Sequence, residues 1–126
     1  MDQSIIDASM QILIHSGDAR RETYRAVEAM ERSDFIESTA LLDAADQHIR
    51  EAHQVHTTLI QQEANGEQLA YAALFSHAQD TLMTSYSELR LVRRLAPIFR
   101  SQDERIRALE TALKTALETV PQTRSE

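Results

Sequence analysis

Apolar residues recur along this chain at spacings of three and four, and runs of strict alternation are absent, so the pattern predicts helices and no strands. From about Ser4 to Arg32, one seam passes through Ile5, Ala8, Ile12, His15, Ala19, Ala26 and Met30. A second line passes through Ile6, Met10, Leu13 and Val27. Two apolar lines on one helix predict two packing surfaces. Gly17 falls in mid-helix, where glycine costs about 1 kcal/mol relative to alanine; close approach of another helix is the expected reason. Ser33-Asp34 then separates this helix from the next, and Asp34 with Glu37 has capping-box spacing. Phe35, Ser38, Leu42, Ala45, Ile49, Ala52, His56 and Leu59 form a coiled-coil-like repeat, which Asn65-Gly66 stops.

A third helix is expected from about Glu67 to Ala96. Its seam is Tyr71, Leu74, Ala78, Leu82, Ser85, Leu89, Val92 and Ala96, and its second line is Leu69, Ala73, Ser76, Asp80, Met83 and Ser87. Pro97 is expected to end or kink it. Ser101 and Glu104 have capping-box spacing and predict a short fourth helix. Its stripe of Ile106, Leu109, Leu113, Ala116 and Val120 should pack against its own or a neighbouring subunit, since apolar surface is costly to leave in water. The polar residues after Pro121 are expected to be disordered.

Composition narrows the class. A length of 126 residues fits one domain. With only 2 glycines and 2 prolines, long helices meet few breakers. A single thin bundle of this size gains from self-association. The net charge of -7 and the lack of a basic stripe argue against nucleic acid. No apolar run reaches the roughly 18 residues of a membrane span, and the start of the chain lacks a signal-peptide pattern. There is no cysteine, hence no thiol chemistry. A cytoplasmic protein without direct membrane insertion is expected.

Phosphate loops, nucleophile elbows and zinc signatures are absent, which leaves the 5 histidines, the side chains that titrate near neutral pH, to carry any chemistry. His77 lies between the two lines of the third helix with small neighbours at Ala70, Ala73, Thr81 and Thr84. A neutral imidazole nitrogen is a competent nucleophile toward a phosphoryl group. Asp80 projects roughly 60° to one side of His77 and Thr81 roughly 40° to the other. Thr81 can therefore donate to a phosphoryl group, and Asp80 should face a neighbouring subunit. Leu74, Ala70 and Ala78 are candidates for an exposed docking ring. His56 should be a hydrogen-bonded core histidine, His15 should line the interface near the site, and His48 should be solvated. His53 and His56 lack an acid at the spacing a shared metal would need. Gln79 should point away from His77.

The stretch AHQVHTTLIQQEANGEQLAYAALFSHAQDTLMT, residues 52–84, resembles the lactose/cellobiose (N,N'-diacetylchitobiose) family of enzyme IIA components of the sugar phosphotransferase system (PTS). The family motif His-Ala-Gln-Asp-His-Leu-Met matches His77, Ala78, Gln79, Asp80, Thr81, Leu82 and Met83, with Thr81 in place of the second histidine. Ile14-His15-Ser16-Gly17-Asp18-Ala19-Arg20 also resembles the family. The resemblance implies an all-α protein, an antiparallel three-helix bundle assembling as a homotrimer. Residues 1–100 would form the IIA bundle; residues 101–126, about which the resemblance says nothing, would form a C-terminal helical extension and tail. By position, His77 would accept phosphate from HPr and pass it to a cognate IIB component, for uptake and phosphorylation of a β-linked disaccharide such as lactose or cellobiose. Asp80 would lie near the threefold axis with a divalent cation, Mg2+. Thr81 keeps a hydrogen-bond donor but cannot carry positive charge. Two competing readings are a non-catalytic helical adaptor and a two-component histidine phosphotransfer domain; the latter places Lys-Gly after its histidine, where this chain has other residues.

Overall fold

The computed structural model describes residues 3–66 and 72–121. They form three helices, α1 (Gln3–Glu31), α2 (Phe35–Ala64) and α3 (Ala73–Thr119). α2 runs antiparallel to both neighbours. Its start meets the far part of α3 through Arg100 and Thr39, and its end meets the near part through Gln79 and His56. The all-α, antiparallel three-helix bundle that the resemblance implies is present.

Each helix buries one three-four seam. On α2 and α3 it is the expected one, through Ser38, Leu42, Ala45, Ile49, Ala52 and Leu59, and through Ala78, Leu82, Ser85, Leu89 and Ala96. On α1 the buried line is Ile5, Ser9, Ile12, Ser16, Ala19, Thr23, Ala26 and Ala29. Ser9, Ser16 and Thr23 belong to it, whereas Ala8, His15 and Met30 are only half-buried. Small hydroxyl residues fill core positions here because they let helix backbones approach closely, and a template of apolar residues alone passes over them. Thr23 satisfies its hydroxyl by donating to the Ala19 carbonyl at 2.8 Å.

The α1–α2 turn is a Schellman motif: Asp34 N–H bonds to the Ala29 carbonyl and Ser33 N–H to that of Met30, both at 2.9 Å. Ser33 takes the left-handed conformation, φ 59°. The Asp34 carboxylate then caps α2 by accepting from Glu37 N–H at 3.0 Å. The Glu37 side chain does not complete a reciprocal box, because it pairs with Arg32 at 2.9 Å. Gly17 corrects an expectation: it faces outward, and a Cβ there would meet nothing within 4 Å, so no helix of this chain requires a glycine at that position.

The C-terminal half of α3 departs from the sequence reading. Ala72 is extended, so α3 starts at Ala73 rather than Glu67; Leu69, Ala70 and Tyr71 lie outside the described residues, as does the tail 122–126. Among the described residues no separate fourth helix forms. α3 continues through Pro97 as one helix of 47 residues, about 70 Å long. Pro97 removes one helical N–H, yet it is exposed, and the segment beyond it is held from the other side. Ser33 donates to Asp103 at 2.7 Å, Arg100 donates to Thr39 at 3.2 Å, and the Arg100 guanidinium lies 5.9 Å from the Phe35 ring centre. The Ser101–Glu104 box is unused, with both residues exposed. Past Ile106 the helix leaves the bundle, so the stripe expected to pack on its own or a neighbouring subunit does not pack on its own subunit and projects as a rod.

Candidate functional site

His77 sits in the second turn of α3 and is exposed. Among the described residues its imidazole makes no hydrogen bond or ion pair. Ala73 beside it is exposed, while Ala78 is fully buried, so Ala78 drops out of the expected docking ring; Leu74 is half-buried. Helical side chains lean toward the helix N-terminus. The Cα–Cβ bond of His77 is therefore tilted toward the first turn of α3, where Ala72 provides no side-chain cap. The opening N–H groups of a helix lack internal partners and carry its positive dipole end.

Asp80 is exposed one turn on, and its carboxylate has no hydrogen bond or ion pair among the described residues. Thr81 is half-buried, and its hydroxyl donates to the His77 carbonyl at 2.8 Å. In this rotamer its proton is committed to the backbone rather than offered to the imidazole. Thr84 similarly donates to the Asp80 carbonyl at 2.9 Å. It also accepts from the Arg20 guanidinium at 2.9 Å, and that group forks onto Glu88 at 3.1 and 3.2 Å. Arg20 closes the Gly-Asp-Ala-Arg stretch of α1, so this bidentate pair locks α1 against the part of α3 that carries the histidine. The sequence reading does not single out Arg20 or Glu88, because a pairing 68 residues apart leaves no local signal.

Gln79 points away from His77, as expected. Its amide meets His56 Nε2 at 3.0 Å, and the His56 ring stacks on Phe75 at 6.0 Å between centres. Burial lowers the pKa of His56 below the usual histidine value, and the neighbouring His53 adds to the effect. A neutral His56 accepts the Gln79 amide proton, which ties α2 to α3 two residues from His77. His53 packs edge-on against Tyr86 at 5.2 Å. His15 and His48 lie together on the α1–α2 face beside Glu51, apart from His77.

The sequence profile described as "PTS system, Lactose/Cellobiose specific IIA subunit" matches residues 7–100. This chain belongs to the lactose/cellobiose-specific IIA family. It is 34% identical over 95 residues to the oligo-beta-mannoside-specific EIIA component of Bacillus subtilis, covering 75% of this chain and 86% of the relative. It is also 34% identical to the lactose-specific EIIA component of Staphylococcus epidermidis, over 71% of this chain and 86% of the other. The crystal structure of the cellobiose-specific enzyme IIA from Bacillus anthracis superposes with a TM-score of 0.78 at 28% identity, covering 82% of this chain and 95% of that one. A chitobiose IIA of Escherichia coli, solved in complex with HPr, gives 0.68 at 28% identity over 79% and 96%. The family match ends at residue 100, short of the projecting rod.

The His56 arrangement sets a pH dependence. An unfolded histidine protonates near pH 6.5, whereas folded His56 resists protonation, so below that value the unfolded state binds more protons and stability falls as pH falls. Between pH 7.5 and 5.5 the melting temperature of the wild type should drop by more than that of His56→Gln. Equal drops would mean that the His56–Gln79 contact does not govern the titration.

Proposed function

We propose that this chain is the phosphoryl carrier of a sugar PTS, with His77 as its phosphorylated residue. The observation that carries the reading is an exposed, unpartnered histidine at the position where the family motif places its histidine. HPr as donor is supported by the HPr complex of the structurally similar chitobiose IIA. A lone pair of His77 attacks phosphorus as the P–N bond on HPr breaks, and the displaced nitrogen keeps the electron pair. The phosphoryl group then passes to the thiolate of a IIB component, forming P–S as P–N breaks. On His77 the group adds about -2 charge, which the N-terminal dipole of α3 favours. A turn of the Thr81 χ1 would redirect its proton from the His77 carbonyl to a phosphoryl oxygen. This gives Thr81 a stabilising role without the positive charge a histidine would bring.

The phosphoryl group serves uptake of a β-linked disaccharide such as lactose or cellobiose, and the choice of sugar follows from the partner components. No described helix is long and apolar enough to cross a membrane, in keeping with a carrier that shuttles between HPr in the cytoplasm and a IIB component. A histidine phosphotransfer domain is disfavoured because Gln79-Asp80-Thr81 follows the histidine.

We further propose a homotrimer. α3 carries a second face through Asp80, Met83, Ser87 and Leu91 that the bundle leaves exposed. Three copies meeting there would bring three Asp80 carboxylates together. Like charges converging in a low dielectric need a counterion, and unpartnered carboxylates suit a hard divalent cation such as Mg2+.

In the presence of enzyme I, HPr and phosphoenolpyruvate, His77→Ala should fold normally and take up no phosphate. A labelled variant would assign the acceptor to another histidine, and failure of the wild type to label would favour the adaptor reading. For the assembly, adding Mg2+ to the metal-free protein should raise the melting temperature of the wild type but not of Asp80→Leu. A monomeric wild type by light scattering would overturn the trimer.

A further inference from the structure

His15, His48 and Glu51 form a cluster away from His77 whose chemistry the carrier function does not use. His48 and Glu51 stand three apart on α2, so they share one helix face, and His15 faces them from α1. One donor atom from each lies within 4.8 Å of the others. His15 Nδ1 is 2.9 Å from Glu51 Oε2, and His48 Nδ1 is 4.0 Å from the same oxygen. The rings stack at 6.2 Å between centres. Both Nδ1 atoms are buried, and neither makes a directional hydrogen bond. The short His15–Glu51 contact is thus an approach of opposite character without donor alignment, and two inward ring nitrogens are left for another ligand.

We propose that His15, His48 and Glu51 bind a transition-metal ion of the zinc class. Two imidazoles and a carboxylate make a three-ligand set with a fourth position for water, and imidazole suits zinc better than magnesium. Metal–donor bonds of about 2.0–2.2 Å bring tetrahedral donors to roughly 3.3 Å from one another, so small side-chain rotations close the cluster. The ion would tie α1 to α2 at mid-bundle. The test is calorimetric titration of the full chain with Zn2+, with melting temperature as second readout. One Zn2+ per chain and a raised melting temperature are expected, with affinity at least tenfold weaker in His15→Gln/His48→Gln. Asp80→Leu should keep the site, which separates it from any cation at a trimer axis. Unchanged affinity in the double variant, or no stoichiometric binding by the wild type, overturns the proposal. Phosphorylation of His77 reads the carrier function independently of either result.

The free rod of α3 carries a second, independent signal. Ile106, Leu109, Leu113, Ala116 and Val120 follow one another at three-four spacing, and Leu109 and Leu113 are 69% and 61% exposed. An exposed apolar stripe of this length is costly to leave in water, so this segment needs a partner. Arg105 precedes the first stripe residue and Glu110 follows the second. In a parallel, in-register coiled coil the side chain at 105 reaches the neighbour's 110, an attractive pair. The structure assigns this rod to self-association: residues 106–120 form a parallel coiled coil between copies of this chain, three of them on the trimer reading. The chain has no cysteine, so Ala116→Cys introduces one thiol on the stripe and Thr111→Cys one on the opposite face. On mild oxidation of the full-length protein, the Ala116→Cys variant should link between copies much faster than the Thr111→Cys variant. Equal linking of both variants, or no linking of Ala116→Cys in a chain that still sediments as a trimer, overturns the coil and leaves the trimer standing.

Discussion

Close packing of α1 against both other helices is the constraint on which the rest of this protein depends. Ser9, Ser16, Ala19, Thr23, Ala26 and Ala29 are fully buried along α1, and a seam of such small side chains lets two helices lie near the same axis at once. Larger residues from the partners, Leu42 and Ile49 on α2 and Leu82 and Leu89 on α3, fill the space left over. Interdigitation of small against large is how a helical core reaches native density with aromatics such as Phe75 and Tyr86 only at its margin. The arrangement fixes α3 in register with α1, and the Arg20 fork onto Glu88 and Thr84 adds a polar lock at that register. His77 is held out to solvent as a consequence, since Ala78 beside it is committed to the core.

That division of labour along α3 explains how one helix serves several purposes. Residues 78–96 supply a core seam, and the outward positions Asp80, Met83 and Leu91 supply a face with no cover in the single chain. The first turns carry the exposed His77 close to the helix N-terminus, where added negative charge is favoured. On the α2 side, the Gln79 amide meets His56 Nε2 at 3.0 Å. Burial and His53 lower the His56 pKa, so the interhelical contact persists at pH values where a solvated histidine would be charged.

Much of this is legible from residue spacing. The seams of α2 and α3 are readable because Leu, Ile and Ala recur on them at three-four intervals. Asp34 announces its cap, and the histidine motif carries both the family and the candidate site. The α1 seam escapes an apolar template because serine and threonine occupy positions that only tertiary packing makes apolar. The outward placement of Gly17 is equally hidden, since a glycine signals a close approach or an open surface with the same letter. Pro97 looks like a break because its local cost is real; contacts from Ser33 and Thr39, far away in sequence, keep the helix going. The Ser101–Glu104 pattern has capping spacing, but a cap acts only where a helix begins. His48-x-x-Glu51 is visible as a helical pair, yet its third member, His15, comes from another helix.

The central claim is that phosphate travels on the exposed histidine of α3. The most direct measurement is peptide mapping of the wild-type chain after incubation with enzyme I, HPr and phosphoenolpyruvate, handled at alkaline pH because phosphohistidine is acid-labile. The account predicts one phosphoryl group per chain, located on His77 and discharged by a IIB component. Phosphate on His15, His48, His53 or His56, or a chain that stays unmodified beside a fully charged HPr, would contradict it.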